Sequence, residues 1–313
     1  MLNEKINVRN ELMSKVSLLY FSSLISVVIG YIALFLAARF VGAEALGIVS
    51  FSISFIGIFS FMTDLGLNRS HTKKISEGCD ISRCFSAYFI LSILLNVVFS
   101  FTVIILIFFW QSRLELVADN HEIRQLLLVA LAYQLSSSFT QIFVSTYLAK
   151  RDVIKAQIIT ISDVSLRAIF TSIVILFDLG TYGLAFTFVF GAFGSLIVAI
   201  ALSRRMLQGL SFRVIDHAIL HEYLAFAIPI AIASIIGVIA INLDKVLIQL
   251  SSSSVQTAIY YASQRLLGPY ALLGTAILSL TFPVMSEISV KFNDKYQCAR
   301  ILSSAIDELS IIT

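Results

Sequence analysis

Charge is scarce in this sequence. Of 313 residues, 13% are charged and 58% are hydrophobic, against about 25% charged in an ordinary soluble domain. The mean hydropathy is +0.93. A soluble globular protein is excluded, and apolar runs of about 20 residues recur along the chain, which excludes a single anchor on a soluble domain. Alternation over about 10 residues, the mark of a membrane barrel, is missing, so the spans are helices. Proline is confined to Pro229, Pro269 and Pro283. The three cysteines, Cys79, Cys84 and Cys298, follow no metal-ligand spacing. The residues Met1–Lys15 lack the cationic start, short apolar core and cleavage site of a signal peptide, so the first helix is expected to persist.

Eight spans are expected: Ser17–Val41, Leu46–Leu65, Cys84–Trp110, Ile123–Leu148, Ala156–Leu179, Tyr182–Leu202, Tyr223–Leu250 and Ala258–Glu287. Basic residues fall on alternate loops. Sixteen, among them Lys15, Arg69, Lys150, Arg204 and Lys291, lie on one side; Arg39, Arg113 and Arg124 lie on the other. By the positive-inside rule this places the amino terminus and the cysteines in the cytoplasm. That compartment keeps thiols reduced, so no disulfide is expected. The expected site of the protein is the bacterial cytoplasmic (inner) membrane, multi-pass. The loops between spans are too short to hold a domain, so activity must lie among the helices. After Glu287 a polar stretch leads into Ile301–Thr313, which begins like another helix and stops; the chain reads as cut off.

The remaining cations lie inside spans, where a central charge costs about 2.5–3.5 kcal/mol. Asp163 and Arg167, four residues apart, share one helix face and can pair. Arg167 is expected about 16 Å from the cytoplasmic end, near the midplane. One reading makes it a cavity cation held by an acidic neighbour; the other, an ion pair that locks the fifth helix. Asp244 and Arg265 stand at similar depth on antiparallel neighbours, where they can meet to set hairpin register. Lys245 points about 100° away from Asp244, which makes it the freer cation and the better ligand candidate. Tyr223–Glu287 also carries all three prolines, and helix breaks beside charges suit a transport cavity. Asn96, Gln134, Gln141 and Asn242 are read chiefly as helix–helix hydrogen-bonding residues.

The stretch from Arg39 through Gly42, Glu44 and Gly47 to Asp64-Leu-Gly-Leu67 resembles the first hairpin of the polysaccharide transporter family. That family includes the O-antigen (Wzx-type) flippases, within the multidrug/oligosaccharidyl-lipid/polysaccharide flippase superfamily. Asn242-Leu-Asp-Lys-Val-Leu-Ile248 with Ile259-Tyr-Tyr-Ala-Ser-Gln-Arg-Leu266 resembles the hairpin opening its second half. An offset of about 211 residues places Gly47 on Ala258, a parallel repeat. The resemblance implies an all-α polytopic bundle: residues 1–210 as a six-helix lobe, and 211–313 as two helices and part of a third of another lobe. It also implies alternating access of an undecaprenyl-pyrophosphate-linked oligosaccharide, an O-antigen or capsule repeat unit, with a possible coupling ion (H+ or Na+). On this view Arg167, Lys245 and Arg265 contact substrate, Asp163 and Asp244 couple or pair, and no cofactor, metal or nucleic acid is involved.

Two other functions stay open: a cation-coupled extruder of small amphipathic molecules, and a nonfunctional truncated fragment. A membrane enzyme is disfavoured. His71, His121, His217 and His221 fall in loops or at span ends, and no nucleophile–base pair or phosphate-cradling glycine loop occurs.

Overall fold

The computed structural model describes residues 2–109, 120–208 and 217–269, and within them every element is a helix. α1 (Leu2–Leu36) ends in a π-turn (Ala37–Val41) and turns at Gly42 into α2 (Ala43–Ile58). Then come α3 (Phe61–Asp64), α4 (Leu67–Ser76), α5 (Ile81–Phe109), α6 (Asn120–Ala149), α7 (Val153–Leu176) and α8 (Gly180–Leu202). A short α9 (Arg204–Gln208) precedes α10 (His217–Ser251) and α11 (Ser254–Leu266). Side-chain caps fix two of the starts: Asp152 accepts from the Lys155 N–H at α7, and Ser253 from the Gln256 N–H at α11. Each side chain fills a backbone donor that the first turn leaves unpaired.

Among the described residues six helices are long and apolar enough to cross a membrane, and α2 with α3 and α4 makes a seventh if that bent pair is one span. The expected second span, Leu46–Leu65, is therefore not a straight helix. Its axis bends by 44° where the backbone switches to three-residue bonds, Ser60 N–H to Gly57 O and Met62 N–H to Phe59 O. The Ser60 hydroxyl also donates to Gly57 O at 2.7 Å, so polar groups at the bend stay satisfied. The break expected in the proline-bearing hairpin is absent at Pro229, where α10 runs through continuously. The proline removes one backbone donor, which a membrane helix tolerates. Of the eighth expected span, Ala258–Glu287, only the start is described, within α11 (Ser254–Leu266); its course after residue 269 lies outside the described residues, as do Pro283, Cys298 and the tail 301–313.

α2 is the central helix. Twelve of its sixteen residues are buried, and it packs on α6, α8, α10 and α11. Its amino-terminal end meets α11 so closely that a Cβ on Gly47 would lie 1.8 Å from the Ser254 carbonyl oxygen; only glycine permits this approach. The peripheral helices show apolar outer faces, including Phe35, Phe101, Phe109 and Ile236, as lipid contact requires. α7 lies between α1 and α8, and α4 contacts α5, α6 and α10.

One thiol expectation is corrected. Cys79 and Cys84 form a disulfide across the turn from α4 to α5, with Cα atoms 6.4 Å apart. Five residues of separation across a reversing turn bring the two sulfurs within bonding reach, a proximity that the argument from compartment left out.

Candidate functional site

Arg167 lies on α7, one turn beyond Asp163, and donates through Nη2 to Asp163 Oδ2 at 2.6 Å. α8 passes close enough for this pair to be screened from lipid because residue 191 is glycine. A Cβ there would come within 2.9 Å of Asp163 O and 3.2 Å of Arg167 Cβ. The guanidinium sits over the rings of Phe188, 4.5 Å from the centroid, and Tyr133, 5.6 Å away. Aromatic faces of this kind stabilise a desolvated cation. The coordination remains incomplete. Arg167 Nε and Asp163 Oδ1 are both buried with no hydrogen-bond partner.

The pair borders a cavity of about 350 Å³ between α1, α7, α8 and α11, lined among others by Ser26, Tyr31, Thr160, Thr171, Arg167 and Arg265. Arg265 reaches it from α11, its guanidinium 5.1 Å from the Tyr261 ring centroid. Tyr31 ties α1 to the same place by donating to the Arg265 backbone carbonyl at 2.7 Å. Two guanidinium groups thus share a chamber with one carboxylate, Asp163, beside it. Such a site favours an anion, since each arginine offers a planar fork of donors.

The other expected site residues behave differently. Asp244 does not meet Arg265; it accepts a hydrogen bond from the Tyr260 hydroxyl. Lys245 is not free. It is 4% exposed and donates to Gln264 Oε1 at 2.7 Å and to Ile241 O at 2.8 Å. Gln264 returns a bond to Ile241 O at 3.1 Å. An ammonium has three donors to place, and the neighbouring helix supplies a neutral acceptor one residue before Arg265, so lysine and glutamine set the α10–α11 register. Lys245 is not among the residues lining the Arg167 cavity.

His71, expected in a loop, is fully buried at the end of the bundle nearest the α4–α5 turn. Its Nδ1 is 2.9 Å from the Tyr223 hydroxyl and its Nε2 is 2.8 Å from Thr146 Oγ1. Its ring stacks on Tyr88 at 4.4 Å, and Tyr223 donates onward to Cys84 O at 3.2 Å. One imidazole thereby joins α4, α5, α6 and α10. Periodicity offered a partial signal, since His71 lies one turn beyond Leu67, which is also buried.

A bundle of apolar helices closed around a cationic chamber defines a membrane transporter. The sequence matches the profile of the polysaccharide biosynthesis protein family (Polysacc_synt) over residues 12–289, and the chain belongs to that family, within the multidrug/oligosaccharidyl-lipid/polysaccharide flippase superfamily. Two solved structures share the fold. One, described only as protein A, superposes with a TM-score of 0.69 at 13% identity, covering 97% of this chain and 70% of its own. The MATE multidrug transporter DinF-BH superposes with a TM-score of 0.59 at 14% identity, covering 96% of this chain and 72% of its own. No curated protein sequence matches the chain.

Proposed function

We propose that this protein carries a polyprenyl-pyrophosphate-linked oligosaccharide from the cytoplasmic to the outer leaflet by alternating access. The observation that carries the reading is Arg167, which holds a buried, unfilled donor beside Arg265 in a chamber between helices. A pyrophosphate would supply the acceptors and the negative charge that Asp163 alone does not. The description of the family as polysaccharide biosynthesis proteins supports a glycan cargo. The loop-by-loop bias of basic residues supports a cytoplasmic amino terminus and an inner-membrane location.

The extrusion reading draws on the likeness to a multidrug transporter, but two arginines in the chamber disfavour a cationic drug. Arg265 joins Arg167 as a substrate contact; Lys245 is assigned to the hairpin and not to the cargo. Arg167→Ala is expected to abolish export of the glycan in cells while membrane insertion stays normal. Undiminished export would remove Arg167 from the mechanism.

A further inference from the structure

A second chamber, of about 230 Å³, lies between α3, α4, α5, α6 and α10. Its lining is polar but almost uncharged, with Asp64 the one carboxylate among the lining residues. Most of its polar groups are already committed. Ser60, Thr63 and Ser234 donate to carbonyls of their own helices or turns. Ser138 donates to Asn96, Tyr88 donates to Asn68, and Asp64 Oδ1 accepts from the Asn68 N–H at 2.8 Å.

Three side chains on α6 remain uncommitted: Gln134, Ser137 and Gln141 line this chamber, and none hydrogen-bonds to another described residue. Their spacing, three and then four residues, puts them on one helix face. If the two glutamines served only to bond helices, their amides would be paired. Gln141 is exposed and Gln134 and Ser137 are partly exposed, so the two amides, each with two donors and an acceptor, stay open to a ligand that enters the chamber.

The spacing decides what could fill them. Gln134 and Gln141 are seven residues apart, about 10.5 Å along the axis. A single cation gathers its oxygen ligands at about 2.3–2.6 Å, so one ion cannot serve both. An extended ligand with many hydroxyls can. Neutral amides that donate and accept match sugar hydroxyls, and Asp64 can accept from a further one.

We infer that the Gln134–Ser137–Gln141 face of α6 is a carbohydrate-binding subsite that contacts the sugar rings of the cargo, apart from the cationic chamber. The inference rests on the glycan-lipid reading above. The test measures the affinity of the purified protein for two probes, a polyprenyl-pyrophosphoryl disaccharide and sugar-free polyprenyl pyrophosphate. Wild type should bind the disaccharide-bearing probe about tenfold more tightly than the sugar-free one.

In Gln134→Leu/Gln141→Leu that preference should vanish while sugar-free binding is unchanged, which also shows that the variant is folded. Gln141→Asn, which keeps an amide but shortens its reach, should retain part of the preference. Equal binding of both probes by wild type, or an undiminished preference in the double variant, would overturn the inference. Failure of wild type to bind the sugar-free probe would count against the phosphate reading alone, because loss of disaccharide binding in the double variant is read separately.

Discussion

Replacing Arg167 and Asp163 singly and together separates a structural ion pair from a working cation. In Arg167→Gln, Asp163 loses its 2.6 Å partner and keeps one buried oxygen that was already unbonded. Breaking a fully buried pair costs about 3–5 kcal/mol. These side chains are 16% and 24% exposed, so solvent access lowers the expected cost to about 2–3 kcal/mol. Asp163→Asn should cost about 1.5–2 kcal/mol, the loss of a charge-assisted bond. The double variant Asp163→Asn/Arg167→Gln leaves neither charge buried and keeps the close α7–α8 approach at Gly191, so about 1 kcal/mol is expected, a coupling of roughly 2.5–4 kcal/mol. Unfolding titrated with SDS reads the stabilities, and glycan-lipid flipping in vesicles reads function. The double variant should regain stability without regaining transport. A double variant that transports normally would make the pair structural; one less stable than either single variant would refute the coupling.

Three further outcomes follow from the same geometry. Lys245→Met removes the bonds to Gln264 and Ile241, so it should lower stability by about 1–3 kcal/mol while leaving pyrophosphate affinity unchanged in a binding titration. Tyr223→Phe strips His71 Nδ1 and Cys84 O of a shared partner and should cost about 1–3 kcal/mol, read by unfolding titrated with SDS. Cys79 and Cys84 should resist alkylation by iodoacetamide in the unfolded protein until a reductant is added, given their pairing.

Much of the frame was legible because bilayer thickness and the cost of buried charge act directly on sequence. The long spans, from Cys84–Trp110 through Tyr223–Leu250, correspond to described helices within a few residues, and the Asp163–Arg167 pair followed from four-residue spacing alone. Failures arose where tertiary contacts decide between local alternatives. Lys245 read as free because angular spacing from Asp244 says nothing of Gln264 on the next helix. Asp244 read as a partner for Arg265 because equal depth was taken for contact; the Tyr260 hydroxyl lies on the facing side instead. His71 read as a loop residue because the bend after Ile58 returns α4 into the bundle, and no hydropathy window reports such a return. The bend itself was hidden in an uninterrupted apolar run, since only the hydrogen-bond pattern at Phe59 and Ser60 distinguishes it from a straight helix. Gln134 and Gln141 read as helix-bonding residues, the commoner use, and only the accounting of partners around the second chamber sets them apart.

The claim that a cationic chamber receives an anionic headgroup is tested most directly by equilibrium binding of polyprenyl pyrophosphate to wild type and to Arg167→Gln. Loss of charge-assisted bonds worth about 1.5–3 kcal/mol should weaken binding by about 10- to 150-fold. Equal affinity in the two proteins would contradict the account.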